Sequence, residues 1–143
     1  MKKTFAGLHA RTICHATEDL DKVRLAMRNA VGEVEQRISK TEGHHGNPIT
    51  ILEASVDDPK ALDEFFLRIG DATVKEMLDS LDNRIDDGCN LFLKLDKQAA
   101  LLGNLQMARN DDAISIRIKV SAFPARCSIA RGMVDEYLRS VRA

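Results

Sequence analysis

The sequence has no tryptophan, one tyrosine and five phenylalanines among its 143 residues. A core with so few aromatic rings has to be mainly aliphatic, and 44% of hydrophobic residues is enough to build one. No run approaches the ~20 apolar residues that cross a bilayer. Lys2-Lys3 is not followed by the apolar segment of a signal peptide. We therefore expect a single domain over residues 1–143, located in the cytoplasm and not in a membrane.

Cysteine is also scarce. Cys14, Cys89 and Cys127 are far apart in the sequence, and their number is odd. This spacing argues against a disulfide framework and against a Cys-x-x-Cys metal knuckle. We expect all three thiols to be unpaired.

The sequence has no excess of positive charge, because its net charge is -1. The charges are nevertheless segregated. Residues 1–17 and 113–134 contain basic side chains and no acid, whereas acids outnumber bases over residues 53–96. Such segregation permits a local basic face on a protein that is not basic overall, although an ordinary mixed surface is an equally simple interpretation.

The periodicity predicts a mixed fold. Ile114, Ile116, Ile118 and Val120 alternate with polar residues as in a half-buried strand, whereas Leu20 to Val31 and Leu62 to Ile69 repeat at helical spacing. The pattern predicts an α+β fold with a mainly antiparallel sheet and helices packed on one face. The expected strands of that sheet are 5–15, 49–56, 91–95, 104–109 and 113–122, and residues 34–42 are a further polar strand or extended segment.

Two local signals refine this prediction. Asn110-Asp111-Asp112 are good turn residues, so Leu105 to Ala108 and Ala113 to Phe123 are expected to form a hairpin. Thr17 is expected to cap the first helix.

The turn Gly43 to Pro48 contains two adjacent imidazoles, His44 and His45. These side chains are candidates for metal binding, acid–base catalysis or phosphate contact, or they are simply part of a shaped turn. Zinc needs three or four protein ligands, and His9 and His15 stand roughly 20 Å apart along a strand. We therefore predict no metal site and no cofactor.

Asp96-Lys97 follows a predicted strand, where the pair is either an acid–base pair or a helix cap followed by a lysine. The cap is the commoner use of such an aspartate. The sequence has no Gly-x-Ser-x-Gly elbow, no nucleotide P-loop and no reactive-cysteine motif.

Arg117 and Lys119 share one face of a predicted strand, and His9, Arg11 and His15 belong to another strand. Lysine and arginine neutralise phosphates, so a cationic sheet surface that binds nucleic acid is one interpretation, and a solvated sheet face is the other. Aromatic residues are too sparse here to predict a sheet that stacks several bases, as RRM domains do.

Three segments of the chain resemble an archaeal family of RNA-binding proteins, also described as predicted exosome subunits. The matching phrases are His45-Gly46-Asn47-Pro48-Ile49, Leu95 to Ala99, and Asp111 to Arg126, and His15 to Asp19 fits as well. The resemblance implies a fold like that of the ribosomal protein that holds the small RNA of the large subunit. Phe123 differs from the family pattern, in which tyrosine is common at this place.

The resemblance implies an RNA-associated role and supplies no catalytic residues. We expect a non-enzymatic RNA-binding protein that is an accessory to RNA processing, exosome-related, or to the ribosome, with structured or ribosomal RNA and proteins of those complexes as partners. The candidate RNA-binding residues are Arg11, His44, His45, Asn47, Lys97, Arg117, Lys119 and Arg126. One alternative is a protein-docking module of an RNA-processing complex, and another is a hydrolase or nuclease that uses His44, His45 and Asp96.

Overall fold

The computed structural model describes residues 4–43 and 46–141. Strands and helices are mixed along this part of the chain. In chain order they are β1 (Phe5–Cys14), α1 (Leu20–Val31), β2 (Gln36–Glu42), β3 (Pro48–Val56), α2 (Pro59–Arg68), α3 (Gly70–Asp79), β4 (Asn90–Asp96), α4 (Lys97–Leu101), β5 (Ala113–Val120) and α5 (Cys127–Val141).

The five strands form one antiparallel sheet in the order β2-β3-β1-β5-β4. Alternate residues of the strands are buried under the helices, as Leu52, Leu93 and Ile116 illustrate. The helices contribute the other half of the core, including Met27 and Phe65. The predicted α+β fold with helices on one face of an antiparallel sheet is therefore confirmed.

The N-cap of the first helix lies two residues later than predicted. Asp19, and not Thr17, is the N-cap, and its carboxylate accepts a hydrogen bond from the backbone N–H of Asp21. The prediction of Thr17 was wrong because Asp19 offers an equally good capping oxygen closer to the apolar stripe. Gly32 ends the helix with a φ of 90°, a conformation in which a side chain is strained.

The predicted strand 104–109 was wrong, and with it the hairpin between 105–108 and β5. Met107 forms only an isolated bridge with Leu95, on the edge of β4 opposite to β5. The hairpin cannot form because β4 already occupies the edge of β5 that it would need. The carbonyl of Leu105 is also used elsewhere, since it accepts a hydrogen bond of 2.8 Å from the hydroxyl of Thr73.

The polar segment predicted at 34–42 is the edge strand β2, which pairs with β3 through a tight connection. The N–H of Gly43 donates to the carbonyl of Asn47 at 2.7 Å, and Gly46 has a φ of 76°. His44 and His45 lie outside the described residues, so their predicted loop contacts are not placed.

All three cysteines are free thiols, and Cys14 and Cys89 are buried. Burial, followed by the charge of Glu18, raises the pKa of the Cys14 thiol. Across the described ranges, no helix combines the length and the apolar character that a membrane span requires.

Candidate functional site

The side of the sheet that faces away from the helices has no protein layer over it in the described part of the chain. We call this side the outer face. It is rich in polar and cationic side chains, and its members include His9, Arg11, Arg37, Glu53, Ser55, Asn90, Phe92, Lys94, Ser115, Arg117 and Lys119, with Ile13 and Ile51 toward one end.

The strand register brings three of the predicted residues together at the centre of this face. Arg11 on β1 lies opposite Ser115 on β5, and Arg117 and Lys119 follow on the same strand and the same side. Arg11 and Arg117 are therefore diagonal neighbours, whose Cα atoms are ~7–8 Å apart, and Lys119 lies two residues, or ~7 Å, beyond Arg117 along β5. Arg11, Arg117 and Lys119 are all exposed, so one extended ligand can contact all three.

The acidic groups of the outer face leave most of its arginines without a partner. Glu53 stands between Arg11 and Arg37 in the register, but its carboxylate lies 3.0 Å from Nε2 of His9. Within residues 4–43 and 46–141, Arg11, Arg37 and Arg117 form no ion pair with a carboxylate. Unpaired guanidinium groups can donate up to five hydrogen bonds each, in a planar fork that fits phosphate.

Lys119 is positioned by the turn that precedes β4. Its ammonium donates to the carbonyl of Gly88, and two of its three donors remain for a ligand. The turn itself is organised by Asp86, whose carboxylate accepts from the backbone N–H groups of Asn90 at 2.9 Å and of Gly88 at 3.0 Å. The hydrogen bond from the Asn90 backbone is the main reason that the pKa of Asp86 lies below its usual value.

A shallow concavity of about 450 Å³ lies on the outer face beside these cations. Gly7, His9, Asn90, Arg117 and Lys119 are among the residues that line it. Gly7 has no side chain to fill the space opposite Lys119, with which it is in register. Two cations, Arg117 and Lys119, and one acid, Asp57, therefore border a depression that is open to solvent.

Lys97, which the sequence placed among the RNA-binding residues, lies in a different environment. Only 2% of its side chain is exposed, and its ammonium contacts three oxygens: the Ile13 carbonyl at 2.7 Å, Glu18 at 2.9 Å and Asp112 at 2.6 Å. All three of its donors are used, so the ammonium has none left for a phosphate. The assignment of Lys97 to the interface is therefore corrected to a structural role.

The contacts of Lys97 also involve the described residues that could bind a metal ion. His15, Glu18 and Asp112 place ligand atoms within 4.8 Å of one another. The ammonium of Lys97 contacts both carboxylates and takes the position that a cation would occupy. Lys97, His15, Glu18, Asp112 and the carbonyl of Ile13 are called the Lys97 cluster below.

Asp96 is the N-cap of α4, as the commoner interpretation predicted. Its carboxylate accepts from the backbone N–H of Ala99 at 2.8 Å. The arrangement does not form the Asp96–Lys97 acid–base pair, because Lys97 is directed to Glu18 and Asp112.

The other two predicted residues that the structure describes lie beyond opposite ends of the strands. Asn47 is exposed in the β2–β3 connection, next to the end of the sheet where β5 begins. Arg126 is exposed between the end of β5 and the start of α5, at the other end. Neither belongs to the central cluster of Arg11, Arg117 and Lys119.

The candidate RNA-binding residues chosen from the sequence did not include three members of the outer face: Arg37, Lys94 and Phe92. Arg37 pairs in register with Glu53, and Lys94 with Ser115. A two-residue alternation places Phe92 and Lys94 on one side of β4, and that signal was present in the sequence. The alternation shows that Phe92 and Lys94 lie on the same side of β4. Only the order of the strands shows that β4 is next to β5.

The chain is similar in sequence to proteins of one family. The profile of a family described as RNA binding matches residues 8–120. An RNA-binding protein of Pyrococcus abyssi is 30% identical to this chain over an alignment of 142 residues, and the match covers 92% of each chain.

Two solved structures are also similar to this chain in sequence and fold. A DUF54 protein from Methanothermobacter thermautotrophicus is 36% identical and superposes with a TM-score of 0.82, covering 96% of this chain and 98% of that one. A DUF54 protein from Archaeoglobus fulgidus is 29% identical with a TM-score of 0.78, covering 96% and 99% of the two chains.

Proposed function

The chain belongs to the RNA-binding family, and from that premise we propose that it binds RNA through the outer face of its sheet and does not act as an enzyme. Arg11, Arg117 and Lys119 contact phosphates at the centre of the interface. Arg37 extends the cationic surface toward the edge strand β2. His9 supplies a further polar group between Arg117 and Ser55.

The observation that carries this proposal is that, among the residues the structure describes, the arginines of the outer face form no ion pairs and no helix covers that face. Phosphate contacts provide most of the non-specific affinity for nucleic acid. A positive group that is already neutralised by a neighbouring carboxylate contributes less to such affinity. Arg11 and Arg117 are exposed and form no ion pair with a carboxylate within the described residues, so they are suited to this role.

Contacts at the two ends of the sheet extend the interface. We assign His44, His45 and Asn47 to loop contacts, with Asn47 beyond one end of the strands, and Arg126 to a phosphate contact beyond the other end. An RNA that runs along the outer face between these ends would also pass the central cations.

The cellular role proposed is that of an accessory to RNA processing, exosome-related, or to the ribosome, in the cytoplasm. The free thiols of Cys14, Cys89 and Cys127 support a reducing compartment. The use of Asp96 as a helix cap, and of Lys97 as the centre of an ion cluster, supports a role that does not involve catalysis by these residues.

The proposal is tested by filter binding of a labelled RNA at several salt concentrations. Arg117→Ala and Lys119→Ala should each weaken binding and make the log–log salt dependence shallower by roughly 0.7–0.9. Lys75→Ala is the matched control, because Lys75 is exposed on α3 on the other side of the sheet. It should leave the slope unchanged.

No measurable RNA affinity at low salt would contradict the proposal and favour a protein-docking module of an RNA-processing complex. A parallel cleavage assay on the labelled RNA tests the hydrolase alternative. Turnover by the wild-type protein that disappears in His44, His45 or Asp96 variants, with binding intact, would establish catalysis.

A further inference from the structure

Phe92 is an aromatic side chain on the outer face, with 41% of it exposed. The other rings have different environments. Phe5, Phe65 and Phe66 are buried, and Tyr137 packs against Phe5 and Phe66 with ring centroids 4.9 Å and 5.1 Å apart. Phe123 is 95% exposed but lies beyond the end of β5. Phe92 is thus the phenylalanine that the fold presents among the cations of the sheet.

The immediate neighbour of Phe92 is the proposed phosphate-binding residue Arg117. The two residues are opposite one another in the β4–β5 register, and His9 lies opposite Arg117 on its other side. One row across three strands therefore carries a phenyl ring, a guanidinium and an imidazole. Adjacent strands lie ~4.8 Å apart, so the three flat groups are within reach of consecutive parts of one nucleotide chain.

The concavity next to this row gives the backbone of such a chain a place to lie. Arg117 and Lys119 border it, and Asn90, two residues before Phe92 on the same side of β4, forms part of its wall. Arg117 therefore adjoins both the depression and the ring.

We propose that Phe92 stacks against one unpaired base of single-stranded RNA while Arg117 and Lys119 hold phosphates of the same strand. This inference rests on the proposed function and specifies the class of RNA that the site takes. The ring of Phe92 can reach the face of a base only if that base is not stacked inside a duplex, as in a loop or an unpaired segment. One ring provides one stacking position, unlike the sheets that stack several bases.

The test compares a single-stranded RNA with a duplex of the same length, using Phe92→Leu and Phe92→Tyr. Leucine keeps the apolar volume but has no π-face, and tyrosine keeps the ring. Phe92→Leu should weaken binding of the single strand by roughly 5- to 150-fold, the range that corresponds to the loss of one base–aromatic stack. It should change duplex affinity by less than about twofold, and Phe92→Tyr should retain single-strand affinity.

Phe123→Leu is the matched control, because it makes the same change at the other exposed phenylalanine. It should leave single-strand affinity unchanged. An equal loss in both leucine variants, or an equal loss for single strand and duplex, would overturn the stacking assignment. Thermal melting of each variant checks that the fold is retained.

A second measurement uses an RNA with abasic positions, which lack a base but keep the phosphate. One abasic position should weaken binding to the wild-type protein and have little effect on binding to Phe92→Leu, since the same stack is already lost. One outcome would overturn the stacking assignment alone. In that outcome, the wild-type protein binds single-stranded RNA and Arg117→Ala weakens the binding, but neither Phe92→Leu nor any abasic position weakens it. If wild-type protein binds no RNA, the proposed function fails as well.

Discussion

Lys97 is buried to 2% exposure, yet it keeps all three donors of its ammonium satisfied. Removing an ammonium from water is costly unless charge and hydrogen bonds replace the lost hydration. Here the carbonyl of Ile13 and the carboxylates of Glu18 and Asp112 provide both. The contacts tie together the end of β1, the segment before α1 and the turn before β5, so one residue fixes three parts of the chain.

The first prediction concerns this cluster. Lys97→Met should lower the free energy of unfolding by about 1–3 kcal/mol, because it leaves two carboxylates close together and a carbonyl without its donor. The value is at the lower end for a buried pair because Glu18 and Asp112 are 20% and 45% exposed and can gain water. Urea denaturation measures the change.

Lys94→Met is the matched control. Lys94 also pairs with an aspartate, Asp111, but both side chains are exposed, and such surface pairs contribute only about 0–1 kcal/mol. Equal effects of the two substitutions would contradict the assigned role of Lys97.

The second prediction uses the lowered pKa of Asp86. A carboxyl whose folded pKa is below its unfolded value of about 3.9 stabilises the protein above that value, and the stabilisation is lost as the pH falls through the folded pKa. The difference in stability between the wild-type protein and Asp86→Ala should therefore be constant above about pH 5 and shrink in more acidic solution. Urea midpoints of both proteins over this pH range provide the measurement, and a difference that grows with acidification would refute the assignment.

At the scale of single elements, α4 shows how the fold stabilises a helix of only five residues. Isolated helices of this length are not stable in water. Asp96 caps its N-terminus, and the side-chain amide of Asn29 on α1 donates to the carbonyls of Ala100 at 2.8 Å and Leu101 at 3.3 Å. Side chains therefore satisfy backbone groups at both ends of α4.

The third prediction follows from the Asn29 contacts. Asn29→Ala should destabilise the protein by about 1–2 kcal/mol, because the Leu101 carbonyl loses the amide donor and the Ala100 carbonyl keeps only backbone N–H donors, including that of Gly103. Gln98→Ala, on the exposed side of α4, should change stability by less than about 0.5 kcal/mol. Urea denaturation compares the two variants, and a neutral Asn29→Ala would show that water replaces the amide without cost.

The elements that were predicted correctly are those in which apolar residues recur at a regular spacing. Ile114 to Val120 alternate cleanly and form β5, and the stripe from Leu20 to Val31 forms α1. The strand expected at 104–109 failed because the prediction relied on a good turn, Asn110-Asp111-Asp112, to pair its two flanks. A turn signal does not say which edge of a strand is free, and β4 occupies the edge of β5 in question.

The candidate site was predictable to the extent that it depends on alternation within a strand. Arg117 and Lys119 were assigned to one side of β5, and the structure places both there. Lys97 could not be recognised as buried, because its partners Glu18 and Asp112 are distant in the sequence. Phe92 could not be placed beside Arg117 without the order of the strands.

At the scale of the whole molecule, the outer face differs in its balance of charges from the helices α2 and α3. The net charge is -1, but the outer face carries arginines without ion pairs in the described residues, while α2 and α3 carry several exposed acids, including Asp63, Glu64 and Glu76. A near-neutral protein can present a positive surface to RNA in this way.

The fourth prediction tests the central claim, that the position of the cations and not the total charge determines RNA binding. The double variant Arg11→Glu/Arg117→Glu reverses two charges on the outer face. The double variant Lys60→Glu/Lys75→Glu makes the same change in net charge on α2 and α3, where both lysines are exposed. Thermal melting verifies that both variants fold.

Filter binding of single-stranded RNA at a series of salt concentrations is the most direct measurement. The account predicts that the outer-face variant loses most of its affinity and that its log–log salt slope becomes shallower by at least about 1.4, which corresponds to two phosphate contacts. The helical-side variant should keep the wild-type slope and lose only the small part of the affinity that arises from long-range attraction. Equal losses of affinity and slope in the two variants would contradict the assignment of RNA binding to the outer face.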